Sequence, residues 1–117
     1  ISGFDNSLDF DCNGNTSTKI VFLAKKCDEI IGLASAAMET EKLWEIGIDV
    51  KSEYRNNGLG TKLVSNLTVD IIKQGIVPFY SASVTNLGSQ MVANRSGYIP
   101  YWIDTYLYVT YILEFTR

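Results

Sequence analysis

The sequence predicts a single α/β domain with a mixed, mostly antiparallel sheet and helices packed on it. Three observations support this prediction: the length of 117 residues suits one hydrophobic core, short apolar runs fill the first half, and a long helical stripe precedes a later buried run. The predicted element order is β-β-β-α-β-α-β-β. Residues 1–18, rich in Asp, Asn, Ser and Gly, are predicted to be a polar arm or loop, and residues 19–117 the folded domain.

Three strands of a meander are predicted in the first half. Residues 19–24 and 29–37 are apolar and partly β-branched, and the polar residues 25–28 between them have hairpin length. A second polar turn at 39–42 leads into residues 43–50, where apolar and polar positions partly alternate. This alternation predicts the third strand.

The hydrophobic period then changes to that of a helix, predicted over 58–74. Asn57 is the predicted N-cap, and Gly75 is predicted to take the left-handed conformation that ends the helix. The apolar stripe recurs every four residues and consists of Leu59, Leu63, Leu67 and Ile71.

The second half supplies three more strands and a second helix. A buried strand at 77–84 follows the helix, which implies parallel pairing with an earlier strand. Asn86 is predicted to cap a helix that runs to about Ser96. Strands at 99–102 and 106–115 complete the domain.

The composition excludes several classes of function. The chain has no histidine, so serine-histidine, cysteine-histidine and histidine-ligated metal mechanisms are excluded within it, and no metal is predicted. A net charge of −3 and the absence of long Lys/Arg runs argue against nucleic acid. No apolar run has membrane-spanning length and no signal-peptide pattern is present, so no membrane partner and a cytoplasmic location are expected. Cys12 and Cys27 are interpreted as reduced thiols.

The segment most informative about chemistry lies between the third strand and the long helix, at 50–61. Its two glycines allow a ligand to approach the backbone, and the free N–H groups of the first helical turn favour an anion. A tight turn that binds nothing explains Gly-x-Gly equally well. The dinucleotide and P-loop fingerprints fit less well, because the third glycine and the Gly-Lys-Ser/Thr ending are missing.

Residues 55–60, Arg-Asn-Asn-Gly-Leu-Gly, resemble the pyrophosphate loop Arg/Gln-x-x-Gly-x-Gly/Ala of the GNAT superfamily of acyl-CoA-dependent N-acyltransferases. The resemblance extends upstream through 45–50 and downstream through 86–98, which is similar to the family's Asn-x-x-Ser helix and its closing Gly-aromatic pair. It covers roughly residues 19–115. The family normally begins with a strand and one or two helices, so this domain is expected to be truncated at its N-terminal side.

The resemblance implies that acetyl-CoA is the co-substrate. It implies that the backbone of the third strand pairs with the pantetheine arm and that the loop donates N–H groups to the pyrophosphate, with Arg55 and Lys62 supplying positive charge. Asn86 would hydrogen-bond the arm, or would serve only as an N-cap. The implied cofactor-binding residues are Ile48, Val50, Arg55, Asn56, Asn57, Gly58, Leu59, Gly60, Thr61, Lys62 and Asn86.

Catalysis of amine acylation needs a proton acceptor. A primary amine with a pKa of about 10.4 is protonated at neutral pH, and removing the proton costs about 4.6 kcal/mol. Without histidine the candidates are a carboxylate or an ordered water. The resemblance favours Glu45 as the base, with Asp49 in reserve; the alternative interpretation of Glu45 is a solvated strand residue.

The general acid departs from the family pattern. Many members carry a tyrosine seven residues after the position of Asn86, where this chain has Ala93. Ser89, or water, is predicted to substitute for it. Tyr98 is interpreted as a core residue, and the tyrosines of 106–111 first as packing and second as a wall of the acceptor site.

The function predicted from these features is N-acetyl transfer from acetyl-CoA to a primary amine by direct attack. The acceptor is expected to be a small-molecule amine or an amine on a protein or peptide. The alternatives are a non-catalytic acyl-CoA-binding or sensor module of a larger protein, and a plain structural domain. A homodimer or an upstream domain is the candidate protein partner.

Overall fold

The structure, a computed structural model, describes Phe4, Ser7 and residues 16–113. It confirms the predicted α/β class and element order within this range. The six strands and two α-helices are β1 Thr18–Lys26, β2 Glu29–Thr40, β3 Leu43–Val50, α1 Leu59–Lys73, β4 Val77–Ser83, α2 Leu87–Arg95, β5 Tyr98–Ile103 and β6 Tyr108–Leu113, with a short 3₁₀ helix at Ser52–Tyr54.

The strands form one mixed sheet in the order β1-β2-β3-β4-β6-β5. Every pairing is antiparallel except that of β3 with β4, so the predicted parallel pairing after the first helix is confirmed. The β3–β4 ladder ends at the pair Ile46 and Tyr80, although β3 continues to Val50 and β4 to Ser83. The two strands therefore part beyond that pair and leave a gap in the sheet.

The β1–β2 hairpin turns more tightly than the predicted connection at 25–28. Cys27 and Asp28 both have positive φ angles, 51° and 66°, as a two-residue type I′ turn requires. Cys27 is exposed and free, whereas Cys12 lies outside the described residues.

Helix α1 begins one residue later than predicted. The N-cap is Gly58, not Asn57, because Gly58 adopts a φ of 85°, a left-handed conformation that glycine reaches without steric cost. No side chain caps this end of the helix. The predicted C-terminal end is confirmed, since Gly75 has a φ of 77°.

The last strand is also shorter than predicted. Leu107 has a φ of 63° and lies in the turn that precedes β6, so the strand begins at Tyr108 rather than at residue 106. The predicted end of this strand, 114–115, lies outside the described residues.

The core lies between the sheet and the helices. Tyr98 is 1% exposed and its hydroxyl lies 2.7 Å from that of Thr68 on α1, which confirms it as a core residue. None of the described helices is long and apolar enough to span a bilayer. The buried apolar side chains of α1 and the neighbouring strands include Trp44, Ile46, Leu63, Val64, Leu67, Ile71 and Val109.

Strand β2 is buried without interruption over residues 31–36, because both faces of it are covered. Helix α1 covers one face. Phe4 is 2% exposed, and the hydroxyl of Ser35 donates to the carbonyl of Ser7. The described part of the predicted arm 1–18 thus packs on the sheet; the rest of the arm lies outside the described residues.

Candidate active site

Two clefts open near the place where β3 and β4 part. The loop cleft, of about 180 Å³, lies between the end of β3, the loop before α1 and helix α2. Its lining is Ile48, Asp49, Val50, Tyr54, Arg55, Asn56, Gly58, Leu59, Gly60, Thr61, Asn86, Gly88, Ser89, Met91, Val92 and Arg95.

The second cleft, the hydroxyl cleft, has a volume of about 430 Å³ and is rich in hydroxyl groups. It carries two carboxylates, and no lysine or arginine is found among its described lining residues. That lining is Ser7, Ser17, Thr18, Ser35, Ala37, Met38, Glu39, Glu45, Ile46, Gly47, Ile48, Tyr80, Ser81, Ala82, Ser83, Asn86, Ser89 and Tyr108.

The loop before α1 is shaped by left-handed residues and one side-chain bond. Asn56 has a φ of 66°, a conformation that asparagine tolerates better than most residues. Arg55 Nε donates a 2.8 Å hydrogen bond to the carbonyl of Val50, which ties the loop to the end of β3. Because Gly58 offers no side-chain cap, the first-turn N–H groups of α1 keep their capacity to bind an anion.

Gly60 allows α1 and α2 to approach each other beside the loop cleft. A Cβ atom at this position would lie 3.1 Å from Cγ2 of Val92, closer than ordinary van der Waals contact. Gly60 itself is buried. A larger side chain here would push the two helices apart and change the width of the loop cleft.

Helix α2 is anchored at its N-terminus by two side chains. The Asn86 Oδ1 atom accepts a 3.0 Å hydrogen bond from Ser89 N, so the predicted N-cap is confirmed. The Gln90 amide donates to the carbonyls of Ser83 at 3.1 Å and Val84 at 3.0 Å. These contacts fix the start of α2 against the end of β4.

The two clefts meet at three residues, because Ile48, Asn86 and Ser89 line both. At this junction Ser89 Oγ lies 2.6 Å from the hydroxyl of Tyr80. Burial raises the pKa of Tyr80 to about 12, so its hydroxyl keeps its proton at neutral pH. A group held in the loop cleft and a group held in the hydroxyl cleft can therefore come together at Ser89.

Glu45 lies half-buried in the hydroxyl cleft. Burial raises the pKa of its carboxyl above the ordinary value of 4.5; a hydrogen bond from Ser81 opposes this shift and the charge of Glu39 adds to it. A general base works best when its pKa is near the working pH, so the raised pKa makes Glu45 a more effective base at neutral pH.

Asp49, the reserve base, is placed differently. Its Oδ2 atom accepts hydrogen bonds from the backbone N–H of Ser7 at 2.9 Å and from the Ser7 hydroxyl at 2.7 Å. It lines the loop cleft rather than the hydroxyl cleft. Asp49 thus holds Ser7 against the sheet, and Glu45 is the better-placed candidate base.

A family model for GNAT acetyltransferases matches residues 9–104 of the chain. The chain belongs to the GNAT acetyltransferase family. A search of curated protein sequences finds no match.

Solved GNAT structures share the fold at low sequence identity. A protein assigned as a streptothricin acetyltransferase from Bacillus anthracis str. Ames, in complex with acetyl coenzyme A, has a TM-score of 0.76 and 16% identity over 97% of this chain and 72% of its own. Aminoglycoside acetyltransferase AAC(6′)-Ib, in complex with coenzyme A and kanamycin, has a TM-score of 0.67 and 20% identity over 83% of this chain and 67% of its own. Ribosomal-protein-alanine N-acetyltransferase from Brucella melitensis has a TM-score of 0.68 and 16% identity over 80% of this chain and 68% of its own.

Most of the cofactor-binding residues that the GNAT resemblance implied lie along the loop cleft. Asn57 and Lys62 do not line it and are exposed. The predicted catalytic residues Glu45 and Ser89 share the hydroxyl cleft. The residues of the implied set that line the loop cleft are Ile48, Val50, Arg55, Asn56, Gly58, Leu59, Gly60, Thr61 and Asn86.

Arg95 and Tyr80 are among the cleft residues that the sequence reasoning did not assign to the site. Arg95 lines the loop cleft, and its signal was available, since Gly88, Met91, Val92 and Arg95 follow the i, i+3, i+4, i+7 spacing of one helix face. Tyr80 gave no signal of its own, because a buried strand position with an aromatic side chain is typical of a core residue.

The three tyrosines of 106–111 are placed differently, and Tyr106 is exposed and lines neither cleft. Tyr111 is buried in the core, whereas Tyr108 is exposed and lines the hydroxyl cleft.

Proposed function

We propose that this domain transfers an acetyl group from acetyl-CoA to a primary amine, by direct attack of the amine in a ternary complex. The observation that carries the proposal is the meeting of the two clefts at Ile48, Asn86 and Ser89. A thioester that extends along the loop cleft and an amine in the hydroxyl cleft would share this point. The acetyl coenzyme A and coenzyme A in the GNAT structures named above support the choice of co-substrate.

The loop cleft has donors that suit an anionic, amide-rich molecule. Arg55, Arg95 and the uncapped first turn of α1 favour the phosphates of acetyl-CoA. The backbone of β3 after Ile46 is not paired with β4, so its N–H and C=O groups can bind an extended pantetheine arm in the manner of an added strand. Acetyl-CoA supplies the activated acyl group; the chain's residues bind and orient it.

Glu45 is the proposed base. The acceptor binds as an ammonium, which the carboxylates of Glu39 and Glu45 attract, and loses a proton to Glu45 directly or through a water. The freed nitrogen then attacks the thioester carbonyl at the junction of the clefts. The N–C bond forms, the C–S bond breaks and its electron pair leaves with the sulfur, and the nitrogen gives its second proton to water as the amide forms.

The acceptor is proposed to be a cationic amine on a small molecule or on a peptide. The carboxylates of the hydroxyl cleft favour a positive group. Two relatives indicate both kinds of acceptor, since one is bound to kanamycin and another is named for ribosomal-protein alanine.

The test is calorimetric titration of the chain with acetyl-CoA, followed by thiol-release assays with kanamycin, a simple diamine and a peptide with an N-terminal alanine. The proposal expects binding and amine-dependent release of free thiol. Absence of binding would contradict the co-substrate assignment.

A non-catalytic acyl-CoA-binding module is the second candidate. It is favoured by Ala93, which is fully buried in the position where many family members carry the tyrosine acid. This candidate predicts binding of acetyl-CoA with no thiol release for any amine.

A further inference from the structure

Tyr80 occupies the apex of the gap between β3 and β4. It forms the last pair of the β3–β4 ladder, and its hydroxyl lies 2.6 Å from Ser89 Oγ. Two neighbouring rings fix the Tyr80 ring. Its centroid lies 6.0 Å from that of Tyr98, which is tilted, and 6.2 Å from that of Tyr111, which is edge-on. Tyr80 is 1% exposed, so solvent does not compete for its hydroxyl.

Either hydroxyl could donate in this hydrogen bond, and the chemistry of the two groups favours Tyr80 as the donor. A phenol is a better donor than an aliphatic hydroxyl, and the raised pKa of Tyr80 keeps its hydrogen in place. When Tyr80 donates to Ser89 Oγ, the hydrogen of Ser89 is free for another acceptor. The space beside Ser89 that both clefts share is open to such an acceptor.

We propose that Tyr80 is a positioning residue that turns the Ser89 hydroxyl toward the sulfur of the departing coenzyme A. This inference rests on the proposed acetyl transfer. As the N–C bond forms and the C–S bond breaks, the sulfur takes the electron pair and accepts a hydrogen bond from Ser89. Ser89 and Tyr80 keep their protons; the ammonium's first proton passes to Glu45 and on to water, its second passes to water as the amide forms, and the thiolate takes its proton from water. A donor for the sulfur is thereby supplied from β4 and α2, while Ala93 offers none.

The first test compares Tyr80→Phe with Tyr98→Phe. Both tyrosines are equally buried in one aromatic cluster, but the hydroxyl of Tyr98 binds Thr68 and lines neither cleft. Tyr80→Phe is expected to lower kcat about tenfold with little change in the KM for acetyl-CoA, as expected for loss of an interaction made in the transition state. Tyr98→Phe is expected to lower the melting temperature but to leave kcat within about twofold of the wild type.

The second test separates this inference from the proposed function. Coenzyme A is bound to the wild type and to each variant, and the pKa of its thiol is measured from the ultraviolet absorbance of the thiolate. A donor on the sulfur favours the thiolate, so the thiol pKa is expected to be lower in the wild type and Tyr98→Phe than in Tyr80→Phe and Ser89→Ala. Failure of coenzyme A to bind the wild type would contradict the proposed function itself.

Ser89→Ala covers the case in which Tyr80→Phe does not fold. It removes the proposed donor and is expected to lower kcat to the same degree, and the double variant should lose no more than either single variant. Wild-type kcat and wild-type thiol pKa in Tyr80→Phe or Ser89→Ala would overturn the inference. Equal loss of kcat in Tyr98→Phe would overturn it as well, since packing would then explain the effect.

Discussion

Arg55 Nε donates a 2.8 Å hydrogen bond to the carbonyl of Val50, five residues earlier in the chain. The bond closes the loop between β3 and α1 and holds it at the mouth of the loop cleft. Arg55 thus has a structural role in addition to the positive charge implied by the family resemblance. The family motif accepts arginine or glutamine at this position, and both side chains carry an N–H donor for such a bond.

Replacing Arg55 separates its two roles. Arg55→Gln keeps a donor for the Val50 carbonyl and removes the charge, so it is expected to lose only the few-fold part of the acetyl-CoA affinity that the charge supplies. Arg55→Ala removes both and is expected to raise Kd by about tenfold or more. Titration calorimetry measures the acetyl-CoA affinity of each variant. Equal losses in the two variants would assign the effect to charge alone.

The anion-binding role of the loop is tested at Gly58. Gly58→Glu places bulk and negative charge at the start of α1 and is expected to abolish acetyl-CoA binding. Gly75→Glu is the matched control, because Gly75 has a similar φ, 77° against 85°, and a Cβ atom at either position would meet no described neighbour within 4 Å. Backbone strain should cost each variant about 1 kcal/mol of stability, and the dipole of α1 should lessen the loss at Gly58 and add to it at Gly75. Retained binding in Gly58→Glu would contradict the assignment of the loop.

Asn86 is confirmed as an N-cap, and its second, cofactor-binding role is a prediction. Asn86→Ser keeps a capping oxygen without changing the charge but removes the amide donor, whereas Asn86→Ala removes the cap and is expected to cost about 1 kcal/mol of stability. If the amide binds acetyl-CoA, Asn86→Ser should melt like the wild type and bind acetyl-CoA several-fold more weakly, by about 1 kcal/mol. If Asn86→Ser binds acetyl-CoA as tightly as the wild type, Asn86 acts only as the N-cap of α2.

Arg95, rather than Lys62, is predicted to supply positive charge to acetyl-CoA in the loop cleft. Arg95 lines the cleft and Lys62 does not. Arg95→Gln is expected to weaken acetyl-CoA binding several-fold and to make the affinity less dependent on salt, because screening acts on charge pairs. Lys62→Gln should change neither quantity. The reverse result would restore the role that the family resemblance gave to Lys62.

Glu45→Gln tests the base by pH dependence and by stability. The raised pKa of Glu45 means that its stabilising contribution is fully present below pH 4.5 and is lost as pH rises through the raised value. At pH 7 Glu45→Gln should therefore have a higher melting temperature than the wild type. The difference between the two melting temperatures should become smaller as the pH falls toward 4.5. The rate of Glu45→Gln should be low at neutral pH and recover as pH rises and the amine loses its proton unaided.

Glu41→Gln serves as the matched control for this substitution. Glu41 is an exposed residue of the turn between β2 and β3 and lines neither cleft. Its substitution should change neither the pH profile of the rate nor the melting temperature at pH 7. An unaltered profile in Glu45→Gln would remove Glu45 as the base.

The elements of the fold followed from patterns that are local in the chain. The four-residue apolar stripe of α1 and the left-handed Gly75 after it were readable, as was the cap of α2 at Asn86. The N-cap of α1 was mistaken because Asn57 is a common capping residue type, whereas a glycine cap depends on the turn that Asn56 and Gly58 make together.

The site was less accessible to sequence reasoning because it depends on contacts distant in the chain. The loop was recognised by its motif, and Glu45 and Ser89 by the family pattern. The parting of β3 and β4 is a property of two strands whose paired residues, such as Ile46 and Tyr80, lie more than thirty positions apart. The Tyr80–Ser89 bond depends on how α2 packs against β4, and Ser7 reaches Asp49 across 42 positions. No periodicity or spacing reports such contacts.

The central claim is that the two clefts bring acetyl-CoA and an amine together at one point. Initial rates of thiol release, measured while both acetyl-CoA and an accepted amine are varied, test it most directly. Direct attack in a ternary complex predicts intersecting double-reciprocal lines and no thiol release before the amine is added. Parallel lines, with a burst of thiol from acetyl-CoA alone, would contradict it by showing that the acetyl group first passes to the protein.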